Sequence, residues 1–116
     1  MDNMKAEIGN ILLLIGIKPN HAGFNYIRDI IFLGISGKTI LPLNGVGYTY
    51  IGDKYKIDRL ESIDKDIQNA ITYAWTYGDI TYQYKLFGYT IDIDRGKPSN
   101  KQFILTIINY LLLNST

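Results

Sequence analysis

Between residues 61 and 72 the chain carries Glu61, Ser62, Lys65, Gln68, Asn69 and Thr72. At 100° per residue these fall on one side of a helix, with Asp64 and Asp66 on its flanks. Amides pair with adenine, Lys with guanine and hydroxyls with either, so such a face has the chemistry to read base edges in a major groove. The same residue types also make an ordinary solvated helix face, and the residues alone leave both readings open.

Other stretches resemble reactive motifs and fail on spacing. IIFLGISGKT (residues 30–39) ends like a phosphate loop, but only two residues separate Gly34 from Gly37 where that motif needs four. A helix end and a turn account for these glycines. Asp92-Ile-Asp94-Arg-Gly96 opens like a calcium loop and lacks the third acidic position and the distal bidentate Glu. His21 is the only histidine, with no carboxylate at helical ligand spacing and no nucleophile motif beside it. It reads as a loop or helix-start residue. The absence of cysteine excludes a disulfide scaffold, a thiolate metal site and a cysteine nucleophile. No enzyme signal remains, and neither a metal, a cofactor nor a small-molecule substrate is indicated.

With 116 residues the chain is long enough for one domain with a real core and too short for two. Its formal net charge is +1, less basic than is usual for a dedicated nucleic-acid domain. The apolar runs Ile11–Ile17 and Ile104–Leu113 fall well short of the roughly 20 residues that span a bilayer. The leading segment lacks the positive start and cleavage site of a signal peptide. A soluble, cytoplasmic protein without membrane contact is expected.

The polar face at 61–72 needs a helix and neighbours to hold it. Apolar residues at 8 and 11–15 predict a first helix from Asp2 to about Gly16. Lys18–Gly23 reads as a loop, and a second helix runs from about Gly23 to Gly34 with Phe24, Ile27, Ile30, Ile31 and Leu33 inward. Arg28 and Asp29 fall near its polar side. Residues 34–47 are Gly-rich and irregular, with a short helix near Tyr48–Tyr55. Asp58 and Glu61 form a candidate capping box for the next helix, with Ser62 as the rival cap, and that helix stops at Gly78. Ile63, Ile67, Ala70, Ile71, Ala74 and Trp75 make its core stripe. Ile80–Phe87 alternates like a strand. Ser99 and Gln102 make a second capping box, after Pro98, for a last helix. Five or six helices without a convincing sheet predict an all-α domain.

The order of several blocks resembles a known family. Ala70-Ile-Thr-Tyr-Ala-Trp75, Gly78-Asp79, Leu86-Phe-Gly-Tyr-Thr90, Lys97-Pro-Ser-Asn100 and Phe103-Ile104 are similar to the C-terminal effector domain of stage-zero sporulation protein A, a response regulator. Ile15-Gly-Ile17, Pro19, His21, Gly23, Tyr26-Ile-Arg-Asp29 and Ile31 extend the likeness to about residues 8–113. The resemblance implies a compact bundle of about six helices with a helix-turn-helix. It also implies that Ile80–Phe87 is helical. Its activity is transcription regulation by binding double-stranded DNA, as a homodimer or as tandem copies on short promoter boxes. By this likeness the recognition helix is about 61–77. The positions facing bases in relatives match Glu61, Ser62, Asp64, Lys65, Gln68 and Asn69. Phosphate contacts fall on Lys97, Ser99 and Asn100 at the start of the last helix, with Lys54, Lys56, Arg59 and Lys101 in support.

The chain departs from the family pattern at three places. Relatives carry arginines where Lys65 and Gln68 stand and a histidine at Asn69, so base preference differs. Residues 53–66 hold the acids Asp53, Asp58, Glu61, Asp64 and Asp66 against Lys54, Lys56, Arg59 and Lys65, a local balance that repels phosphate. Residues 37–52 align poorly, and LNGVGY looks like a remodelled or longer connection. The phospho-acceptor receiver domain is not in this sequence. The leading expectation is a sequence-specific DNA-binding regulator. The alternative is a protein-interaction module of the same fold that modulates another regulator without binding DNA.

Overall fold

The computed structural model describes residues 2–88 and 96–114. Among these the helices are α1 (Asp2–Ile15), α2 (Ala22–Ile35), α3 (Tyr48–Tyr55), α4 (Leu60–Tyr77), α5 (Ile80–Phe87) and α6 (Asn100–Leu113), with no strand. The fold is an all-α bundle. No helix among the described residues is long and apolar enough to cross a membrane.

Each long helix buries the stripe its spacing predicts. Ile8, Leu12 and Ile15 of α1 meet Ile27, Ile30 and Ile31 of α2 in the core, where Ile63, Ile67, Ala70, Ile71 and Ala74 of α4 are fully enclosed. Burying one aliphatic side chain of this size stabilises a fold by about 1.5–3 kcal/mol, so the stripe of α4 holds that helix firmly. A second layer is aromatic. Phe87 of α5 stacks on Phe103 of α6 at 5.3 Å, and Trp75 meets both rings edge-on. Two points of close backbone approach set the helix positions. A Cβ on Gly23 would lie 2.5 Å from the Asp66 carbonyl of α4. Gly16 has φ +112° and sits so near Gly78 that a Cβ would come within 2.7 Å of its Cα.

Ile80–Phe87 is a helix despite its alternating pattern. The Asp79 carboxylate accepts from the amides of Thr81 (2.9 Å) and Tyr82 (3.3 Å), which starts the helix. Gln83 and Phe87 then face inward one turn apart. The Gln83 side chain donates to the carbonyls of Ile15 (2.9 Å) and Ala74 (2.7 Å), satisfying the ends of α1 and α4.

Three local expectations are corrected. Asp58 and Glu61 make no capping box: α4 starts one residue later, with Arg59 at the cap position and no side-chain cap. Ser62 does not cap either, since its hydroxyl donates back to the Arg59 carbonyl at 2.8 Å. Asp29 is not on a polar face but buried, for reasons given below. The Gly-rich LNGVGY segment, read from the sequence as a remodelled or longer connection, is an ordered helical turn. Leu43–Gly47 forms a π-helical turn that runs directly into α3, anchored by buried Leu43 and Tyr48. Gly34 lies within α2 and Gly37, at φ +87°, in the turn after it, a helix end and not a phosphate cradle. Asp92 and Asp94 lie outside the described residues.

Candidate nucleic-acid interface

α3, the turn at 56–59 and α4 form a helix-turn-helix unit. The turn begins at Lys56, which adopts a left-handed conformation (φ 60°, ψ 50°). The amides of Lys56 and Ile57 both return to the Gly52 carbonyl, the second at 2.9 Å, closing the end of α3. The chain then reverses through exposed Asp58 and Arg59 into α4.

α4 turns its polar side to solvent. Glu61, Ser62, Asp64, Lys65, Gln68 and Asn69 are all exposed, between the buried positions 63, 67 and 70. Asn69 borders a shallow concavity with His21, Ala22 and Asp66. His21 stands at the cap position of α2, its ring edge-on to Tyr73 at 5.2 Å.

The start of α6 lies beside the start of α4. Ser99 Oγ accepts from the Gln102 amide (3.1 Å), and the Gln102 side chain accepts from the Ser99 amide (3.3 Å). This capping box leaves the first amides of the helix, on Asn100 and Lys101, without an intrahelical acceptor. Ser99, Lys101 and Asp64 line one concavity with Leu41–Asn44 and Tyr48, while Glu61 and Asp64 line the adjoining one with Leu60. Residues from α4, α6 and the π-helical turn therefore share one surface.

Several of the predicted residues have partners within the chain. The Asp64 carboxylate accepts from Tyr48 Oη at 2.6 Å and from Asn100 Nδ2 at 3.1 Å. Asn100 Nδ2 also reaches the Asp64 carbonyl at 3.1 Å. Burial raises the Tyr48 pKa, and its hydrogen bond to Asp64 raises it further while Asn100 opposes. Lys54 Nζ lies 2.8 Å from Asp29, which also accepts from Tyr55 and Arg28. Burial alone would raise the Asp29 carboxyl, but these three donors outweigh it and hold it below the usual range. The Tyr55 phenol is pushed up to about 12 by burial and by Asp29. Lys56, Arg59, Lys65 and Lys101 are exposed, and Lys97 is half-buried. Tyr48 and Asp29 carry no sequence signal of these roles, because their partners are remote in the chain.

Among the described residues no group of His, Cys, Asp and Glu could hold a metal ion. Over residues 8–111 the chain matches the model of the family described as sporulation initiation factor Spo0A, C terminal. The chain belongs to the Spo0A C-terminal family. That family is one of DNA-binding sporulation effector domains. The match covers every helix from the core face of α1 to Leu111 of α6, including the helix-turn-helix and the start of α6.

Proposed function

We propose that this chain is a sequence-specific DNA-binding transcriptional regulator, with α4 entering the major groove. The observation that carries this reading is the exposed polar face of α4, in the second position of a helix-turn-helix, beside the open start of α6. Glu61, Ser62, Lys65, Gln68 and Asn69 are placed to meet base edges, with Asp64 at the inner border of the face. The free amides at the start of α6, with Lys97, Ser99 and Lys101, hold a phosphate. Lys56 and Arg59 flank the backbone. With a net charge of +1 one module gains little electrostatic affinity, so binding takes two copies on adjacent half-sites.

A second reading, a protein-interaction module that modulates another regulator, is favoured by one observation. Lys54, one of the few cations in the acid-rich 53–66 segment, is spent on Asp29. Heparin retention at low salt, followed by selection from random duplex DNA, separates the two. Retention and an enriched motif support the regulator; neither retention nor enrichment supports the interaction module.

A further inference from the structure

Tyr48, Asp64 and Asn100 stand at or near the starts of α3, α4 and α6. Tyr48 is 2% exposed, so its phenol cannot reach DNA. It donates to Asp64 Oδ1 at 2.6 Å. The Asn100 amide nitrogen lies 3.1 Å from the same oxygen, 3.1 Å from the Asp64 carbonyl and 3.2 Å from Tyr48 Oη. The side chains of both helices of the helix-turn-helix thus meet the first residue of α6 at one point. We propose that Tyr48, Asp64 and Asn100 are positioning residues that lock the phosphate-holding start of α6 to the base-reading face of α4.

The chemistry of the node sets it apart from the residues around it. Asp64 is a carboxylate on a face offered to phosphates, where a free negative charge would weaken binding. Here its charge is engaged by two donors from neighbouring helices. Asn100 cannot offer its side-chain amide to a phosphate while that amide bridges Asp64 and Tyr48. What it has left for DNA is its backbone N–H. A helix that reads bases is useful only in one register, and phosphate contacts fix that register. The node ties the two together before DNA arrives, so it governs discrimination between sequences more than attraction to DNA. The proposal rests on the DNA-binding reading above for its functional consequence, and on the free protein for its geometry.

The test compares the full chain with Tyr48→Phe, Asp64→Asn and Asp64→Ala. Binding is measured to the duplex enriched by the wild type and to a scrambled duplex of equal length. Tyr48→Phe and Asp64→Ala are expected to lose about tenfold in affinity for the enriched duplex and less than twofold for the scrambled one. Asp64→Asn keeps an acceptor for Tyr48 and Asn100, so it retains discrimination while binding both duplexes somewhat more tightly. If Asp64→Asn instead changes the preferred base at one position and Tyr48→Phe changes nothing, Asp64 reads a base and the proposal is overturned. Residual dipolar couplings on the free proteins supply the independent arm. The angle between α4 and α6 should shift in Asn100→Ala, which removes the side-chain bonds from α6 to Asp64 and Tyr48, at unchanged helix content, and an unchanged angle overturns the lock. Should the wild type enrich no duplex, the DNA-binding reading fails, and the couplings alone decide whether the lock exists.

Discussion

Lys54 Nζ lies 2.8 Å from the carboxylate of Asp29, a residue of α2 that is only 1% exposed. This pair, with Tyr55 Oη on the same carboxylate oxygen, ties the end of α3 to the core of the bundle. The first helix of the helix-turn-helix is therefore held by a buried charge. Removing Lys54 leaves that charge with Tyr55 and Arg28 only. We expect Lys54→Ala to lower stability by about 1.5–3 kcal/mol, the range for a hydrogen bond to a charged group, read by chemical denaturation.

The same site gives a pH dependence. Asp29 has a folded pKa below its unfolded value of about 3.9. Its contribution is therefore present above about pH 4 and is lost as pH falls through the lower folded value. Thermal midpoints should drop more steeply below pH 4 in the wild type than in Asp29→Asn. Parallel acid limbs would remove Asp29 from the account.

Lys56 combines a strained backbone with an exposed cation. Glycine relieves the left-handed conformation, which costs other residues about 1 kcal/mol, while the substitution also deletes a proposed phosphate contact. Lys56→Gly should raise the thermal midpoint and lower DNA affinity at once. A variant that gains stability and binds unchanged would take Lys56 out of the interface.

Gln83 is 2% exposed and satisfies two carbonyls at the ends of α1 and α4. Gln83→Leu fits the space but strips the Ile15 carbonyl of its donor, while the Ala74 carbonyl keeps the Gly78 amide at 2.7 Å. We expect a loss of about 1–3 kcal/mol in denaturant unfolding, with the slope of the transition unchanged.

Lys97 precedes the capping box of α6. If it meets a phosphate, Lys97→Ala weakens binding to all duplexes alike and flattens the plot of log affinity against log salt by about one unit. A loss confined to one sequence would assign Lys97 to a base.

How much of this was legible in the sequence differs by element. The inward stripe of α4 follows from period alone, because Ile63, Ile67, Ala70, Ile71 and Ala74 repeat at turn spacing. The capping box at Ser99 is equally local and forms as the sequence predicts. The box expected at Asp58 fails because residues 56–59 are needed for the turn between α3 and α4. In α5 the alternation of ITYQYKLF is overridden by the Asp79 cap and by the burial of Gln83 and Phe87 on one face. Asp29 looks like a surface residue until Lys54 and Tyr55 arrive from 25 and 26 positions away. The meeting of Tyr48, Asp64 and Asn100 across separations of 16 and 36 residues has no local signature at all.

The base-reading role proposed for the outward face of α4 rests on its exposed side chains. It is tested most directly by running the random-duplex selection in parallel on the wild type, Lys65→Ala and Asn69→Ala. Both residues are exposed, so neither substitution disturbs the core. The wild type should enrich one motif, and each variant should relax or change a base at a different position, at a cost of about 1–3 kcal/mol per lost base contact. Identical motifs from all three proteins, or enrichment by none, would contradict it.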